Sequence, residues 1–184
     1  MKMKPGRVYR KQELKALSKN LTRDLNSFVK NKSIVRVTTG LYYRPKMTSV
    51  GPRPASIAEL VRAFLSGRDF LLFSLDDYNP LGLGLTQLYN ETIVYNRRRS
   101  GRFVLDGRRF SFRRRRAFPL RLTIEFLYVE VLNNKHELLE DTTRLETLLT
   151  KRVIHLDRRK LAAAVSSYGK VRTKRFYAEC LTRP

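Results

Sequence analysis

Arg23 and Asn26 stand three residues apart in the segment Leu21 to Lys30, with Thr22 and Lys30 at helical spacings from Asn26 and with Lys19 and Asn20 just ahead. Arginine can hydrogen-bond a guanine edge through two donors, and asparagine can pair in the same bidentate way with adenine; threonine suits thymine methyls and lysine suits phosphates. Leu21, Leu25, Phe28 and Val29 recur at i, i+4, i+7 and i+8 in the same segment. As a helix it would bury that stripe and present the polar set on the opposite face. The chemistry on offer is base-edge readout in a major groove.

The flanking residues supply the elements such a helix needs. Gly6-Arg7-Val8-Tyr9-Arg10 reads as a short extended piece, and Lys11 to Leu17 as a helix with Leu14 and Leu17 on one face. Ser18-Lys19-Asn20 makes a turn, with Asn20 suited to cap the helix that follows. Ile34 to Thr38 alternates apolar and polar residues as a half-buried strand does, Thr39-Gly40 turns the chain, and Leu41 to Arg44 returns. This order predicts a winged helix-turn-helix over roughly residues 7–45 that binds double-stranded DNA. Arg36, Thr38 and Arg44 join the candidate DNA-binding set from the wing. The plainer alternative is a small α+β subdomain whose basic face is simply solvated.

The stretch Phe28-Val29-Lys30-Asn31-Lys32-Ser33-Ile34-Val35-Arg36, followed by Gly40-Leu41-Tyr42-Tyr43-Arg44-Pro45-Lys46, resembles the AbiEi-like antitoxins of type IV toxin–antitoxin systems. The resemblance continues at Asn79-Pro80-Leu81-Gly82-Leu83, at Thr86-Gln87, and from Ile93-Val94-Tyr95-Asn96 into the Arg/Phe-rich hairpin. It implies a repressor of its own operon, operator DNA with inverted repeats, a nucleotidyltransferase-like toxin as the opposed partner, and a bacterial cytoplasm. Two departures stand out. Only five residues precede Gly6 where the family usually has a further helix, and Lys32 stands where a helix-ending glycine is usual.

Charge supports a polyanionic partner independently. The 184 residues hold 39 Lys+Arg against 16 Asp+Glu, a formal net charge of +23, which self-repels in a compact fold. It comes in blocks: residues 1–45 carry 12 basic and 2 acidic side chains, residues 97–116 carry 10 and 1, and residues 151–184 carry 10 and 2. The two intervening stretches are close to neutral or slightly acidic. A hydrophobic content of 42% argues for a packed chain. No apolar run reaches the ~18 residues of a membrane span, no signal peptide is recognisable, and the lone Cys180 leaves no internal disulfide or cysteine-based zinc site.

Beyond residue 45 the sequence predicts a second, mixed α/β domain over 46–184, giving an α+β chain overall. Pro45 to Pro54 reads as a stiff extended linker. Ser56 caps a helix ending near Gly67, and Phe70 to Ser74 reads as a buried strand. Within a basic hairpin region, 92–116, Thr92 to Tyr95 forms a strand and Asp106-Gly107 makes a two-residue turn between Arg102–Leu105 and Arg108–Phe112. The phenylalanines there are expected to face a core, although Phe and Arg so interleaved could also stack single-stranded bases. Arg113, Arg114, Arg115 and Arg116 form a phosphate-seeking cluster that could equally dock an acidic protein. C-terminal helices fill 120–184: a core helix over Leu122 to Leu132, one over Asp141 to Leu149, one capped by Asp157 and broken at Gly169, and a basic one over Val171 to Leu181.

Nothing in the sequence asks for an enzyme, a cofactor or a metal. Leu81-Gly82-Leu83-Gly84-Leu85 lacks the third glycine of a nucleotide loop and reads as a helix-ending turn. His136 and His155 lie 19 residues apart, and Asp76-Asp77 has no third acid at a useful spacing. The leading expectation is a sequence-specific DNA-binding regulator. An RNA-binding or ribosome-associated module built on the Arg/Phe hairpin, and a scaffold for an acidic protein, stand as alternatives.

Overall fold

The computed structural model describes residues 3–83, 91–135, 138 and 142–182. Its architecture is α+β. A strand β1 (Arg7–Arg10) leads into a 3-10 helix (Lys11–Leu17), helix α1 (Leu21–Lys30) and the hairpin strands β2 (Val35–Thr38) and β3 (Leu41–Arg44). A second hairpin, β4 (Lys46–Thr48) and β5 (Gly51–Arg53), precedes α2 (Ile57–Leu65) and β6 (Phe70–Phe73). A second 3-10 helix (Leu75–Leu81) follows, then β7 (Glu91–Asn96), β8 (Gly101–Leu105) and β9 (Arg108–Arg114). Helices α3 (Ile124–Asn134), α4 (Thr142–Val153), α5 (Arg158–Tyr168) and α6 (Val171–Thr182) complete the order.

The first three strands form one sheet in the order β1-β3-β2, antiparallel throughout. Its strands alternate between two cores, as period-two side chains must. Tyr9 and Tyr42 face Leu14, Leu21, Leu25, Ile34 and Met3 beneath the 3-10 helix and α1. Val8, Val37, Leu41 and Tyr43 face the other way, into a core shared with α2 and with Val94, Leu105, Phe110 and Phe112. The four-stranded sheet, in the order β6-β7-β9-β8, is itself covered on its other face by α3 and the C-terminal helices. The N-terminal elements are therefore not packed on their own. They share one of their two cores with the rest of the chain.

β7 and β8 are joined by residues 97–100, yet β9 lies between them, parallel to β7 and antiparallel to β8. The connection must cross the end of β9, and the fully buried Asn96 makes the crossing. Its Oδ1 accepts from the amides of Arg98 at 2.9 Å and Arg99 at 2.8 Å, while its Nδ2 donates to the carbonyls of Arg99 at 3.0 Å and Val94 at 3.3 Å. The β8–β9 turn takes the expected form. Asp106 and Gly107 both have positive φ, 51° and 73°, as a hairpin turn matched to strand twist requires.

Helix α3 is buried all round, so its apolar run shows no period that distinguishes one face. Asp157 caps α5, its Oδ1 accepting from the amides of Arg159 and Lys160 at 3.0 Å. Ser56 caps α2 by accepting from Glu59.

Several expectations need correcting. The segment Lys11–Leu17 is a 3-10 helix, not an α-helix: it is seven residues long, Leu14 alone in it is buried, and Leu17 is 43% exposed. Pro45 to Pro54 is a hairpin and not a linker. Pro52 opposes Met47 across an isolated two-stranded ladder, where proline's extended φ fits and both faces stay exposed. Asn20 occupies the N-cap position of α1 without a side-chain capping bond. Ser18 orders that turn instead, its Oγ accepting from the Asn20 amide at 3.0 Å and donating to Asp24 at 2.6 Å. Lys32 turns the chain after α1 in the left-handed conformation, φ 58°, that a glycine would adopt freely. Gly84, Thr86, Gln87, His136 and Asp141 lie outside the described residues.

Candidate nucleic-acid interface

Helix α1 buries Leu21 and Leu25 and half-buries Phe28 and Val29, so its inner face is fixed by the sheet below. Each fully buried leucine contributes about 1.5–3 kcal/mol to that anchoring. The opposite face carries Thr22, Arg23, Asn26 and Lys30, all exposed, with Lys19 and Asn20 exposed at its start. Arg23 has one carboxylate nearby, that of its neighbour Asp24 at 3.9 Å. An exposed pair at that distance is worth little and leaves the guanidinium available.

The hairpin contributes less than the sequence suggested. Arg36 is exposed near the turn, its Nη2 3.4 Å from the Thr39 hydroxyl. Thr38 is half-buried at a register shift between β2 and β3. Arg44 is half-buried and donates to the carbonyl of Met3, so it holds the N-terminal arm. Beyond it, an open groove of about 880 Å³ is lined by Met3, Phe28, Ile34 and Met47.

The arginines of the second block divide by task. Arg98 Nη1 donates to the carbonyls of Leu65 at 2.7 Å and Ser66 at 3.2 Å, and Arg10 Nε donates to Ala63 at 2.8 Å. Both serve the otherwise unpaired carbonyls at the C-terminal end of α2, where positive charge is favoured. Arg108 Nη1 donates to Ala55 at 3.1 Å. The run at 113–116 also splits, its side chains alternating between half-buried and exposed from the end of β9 into the two residues beyond it. Arg113 and Arg115 are half-buried, Arg113 with its Nε 3.4 Å from the Ser111 hydroxyl and Arg115 lying over the Tyr95 ring at 5.1 Å. Arg114 and Arg116 are exposed. The phenylalanines of the hairpin face the core as expected: Phe110 and Phe112 are buried, which closes them to stacking bases.

Two cations beyond those expected from the sequence, Lys11 and Lys15, sit beside α1 in line with Lys19. Lys11, Lys15 and Lys19 repeat every fourth residue, a pattern visible in the sequence but hidden by attention to apolar periodicity. Lys11 and Lys15 line two adjoining grooves. One runs past Lys19 and Thr22 to Arg23; the other is closed by Arg10, the Thr39-Gly40 turn, Phe64 and Arg99. No acidic side chain among the described residues lines either groove.

Asp77 Oδ2 accepts from the Ser74 amide at 2.6 Å and opens the second 3-10 helix. Gly82 ends that helix at φ 69°, with Leu81 and Leu83 buried, as a helix-ending turn would. His155 is exposed after α4, and Cys180 is half-buried 3.8 Å from the Thr150 hydroxyl. Among the described residues no three His, Cys, Asp or Glu side chains are grouped to hold a metal, and no helix is long and apolar enough to cross a membrane. No family model matches the chain, and no curated protein or solved structure matches it either.

Proposed function

We propose that this chain binds double-stranded DNA sequence-specifically and regulates transcription, with α1 as the recognition helix of a winged helix-turn-helix. The observation that carries the reading is the two-faced character of α1. Leu21 and Leu25 anchor it while Thr22, Arg23, Asn26 and Lys30 stand exposed together. The order of strand, short helix, turn, helix and hairpin agrees with a winged helix-turn-helix, in which the second helix enters the major groove. The hairpin β2–β3 is then the wing, with the Arg36 side chain reaching toward its turn, and the exposed Arg114 and Arg116 supply sequence-independent phosphate contacts.

The sequence resemblance extends the proposal to an antitoxin that represses its own operon through inverted repeats, opposing a nucleotidyltransferase-like toxin. The RNA-binding alternative loses its main support with the burial of Phe110 and Phe112. Binding of the full chain to a duplex and to single-stranded RNA of the same sequence, compared over a salt series, tests the proposal. The duplex is expected to bind more tightly at every salt concentration. Equal or tighter RNA binding would overturn it.

A further inference from the structure

We infer that the groove between the first 3-10 helix and the 97–100 crossover is a second phosphate-binding site for duplex DNA, formed by Lys11, Lys15 and Arg99; this rests on the DNA-binding reading above. The site joins the small N-terminal unit to the four-stranded sheet, with Arg99 in the connection between β7 and β8.

Arg99 is held for such a role. Its backbone is fixed on both sides by Asn96, which accepts from its amide at 2.8 Å and donates to its carbonyl at 3.0 Å. Its guanidinium lies 4.5 Å over the Phe64 ring, a cation–π placement that orients the group while leaving it exposed. Arg10 and Arg98, close by in sequence or space, are engaged with the carbonyls that end α2. Arg99 is not, and among the described residues no carboxylate pairs with it.

Across the groove, the Lys11 amide donates to the Gly40 carbonyl at 2.8 Å, so the start of the 3-10 helix is tied to the hairpin turn. Lys15 follows on the same wall, exposed. Lys11, Lys15 and Arg99 line this groove together with Arg10 and with no acid, so the cations repel one another, an arrangement that a polyanion relieves. The neighbouring groove continues the same positive line through Lys19 to Arg23 at the start of α1. A nucleic-acid backbone lying along this line would meet α1 at one end and Arg99 at the other. Preorganisation of Arg99 lowers the ordering cost of that contact.

The test is a salt series with the full chain and a mixed-sequence duplex of about 30 bp, three helical turns. Each lost phosphate contact is expected to lower the slope of log K against log[salt] by about 0.9. The triple variant Lys11→Ala, Lys15→Ala, Arg99→Gln should therefore lose most of three such steps, and weaken all sequences alike. Lys11→Ala with Lys15→Ala, the first half-buried and the second exposed, should lose about two steps even if the Arg99 change disturbs folding. Arg99→Lys should keep the wild-type slope. If wild-type protein binds the duplex and the triple variant binds with the same slope and affinity, this inference is wrong and the DNA reading stands. If wild-type protein does not bind the duplex at about 50 mM salt, the DNA reading falls and takes this inference with it.

Discussion

The backbone amide of Asp106 donates to the carbonyl of Val37 at 3.2 Å, tying the β8–β9 turn to the edge strand of the first sheet. Beneath that bond, Val8, Val37, Leu41 and Tyr43 share a core with Leu60, Val61, Phe110 and Phe112. A fragment of residues 1–45 would expose that whole face. Such a fragment is expected to show no cooperative thermal transition by far-ultraviolet circular dichroism. A sharp transition in the fragment would mean that the small core of Leu14, Leu21 and Leu25 suffices.

Asn96 closes the crossover with four hydrogen bonds from a side chain that is fully buried. Asn96→Ala leaves the amides of Arg98 and Arg99 without this acceptor and opens a polar hole. A loss of about 2–3 kcal/mol in denaturant unfolding is expected, since an unsatisfied buried group costs about 1–3 kcal/mol. A change under about 0.5 kcal/mol, the scale of an ordinary surface substitution, would show that the crossover does not depend on it.

Two tyrosines give the fold an alkaline limit. Burial, reinforced by Glu130, holds the Tyr95 hydroxyl protonated far above the ordinary tyrosine range, with Arg115 opposing weakly. Burial does the same for Tyr128, reinforced by Cys180 and Tyr177. In the unfolded chain both ionise near their ordinary value of about 10. Above that pH the unfolded state has released protons that the folded state keeps, so stability is complete below about pH 10 and falls as pH rises. Each tyrosine contributes a slope of about 1.4 kcal/mol per pH unit. Urea unfolding across this range should show the decline, and Tyr95→Phe or Tyr128→Phe should each remove its own share. A slope unchanged in both variants would contradict the assignment.

Lys32 occupies a left-handed conformation at φ 58° after α1. That conformation costs a residue with a Cβ roughly 1–2 kcal/mol, which glycine avoids. Glycine returns part of the gain through a more flexible unfolded chain. Lys32→Gly is expected to raise stability by about 0.5–1 kcal/mol in denaturant unfolding. Destabilisation would show that the lysine side chain contributes more than its backbone conformation costs.

The parts of the chain with strong local signals were legible in its sequence. The Asp106-Gly107 turn, the caps at Ser56 and Asp157 and the amphipathic stripe of α1 each rest on a few adjacent residues whose chemistry admits one geometry. What was hidden depends on residues far apart in the chain. The insertion of β9 between β7 and β8 is a long-range pairing that leaves no period in the sequence. Arg10, Arg98 and Arg108 looked like free charge until the carbonyls they serve came close. Arg99 gains its meaning from Phe64, 35 positions away in sequence. Helix α3 was legible from its length as a core helix, although burial on every side erases the periodicity by which a helix is usually recognised.

The most direct test of DNA recognition through α1 is selection of bound duplexes from a random library by the wild-type chain and by Arg23→Ala with Asn26→Ala. Wild-type protein should recover a defined sequence, arranged as an inverted repeat. The double variant should lose preference at the contacted positions by about 1–3 kcal/mol per base contact while still binding duplex DNA through its phosphates. Recovery of the same sequence with the same preference by both proteins would contradict the account, because it would place sequence readout somewhere other than the exposed face of α1.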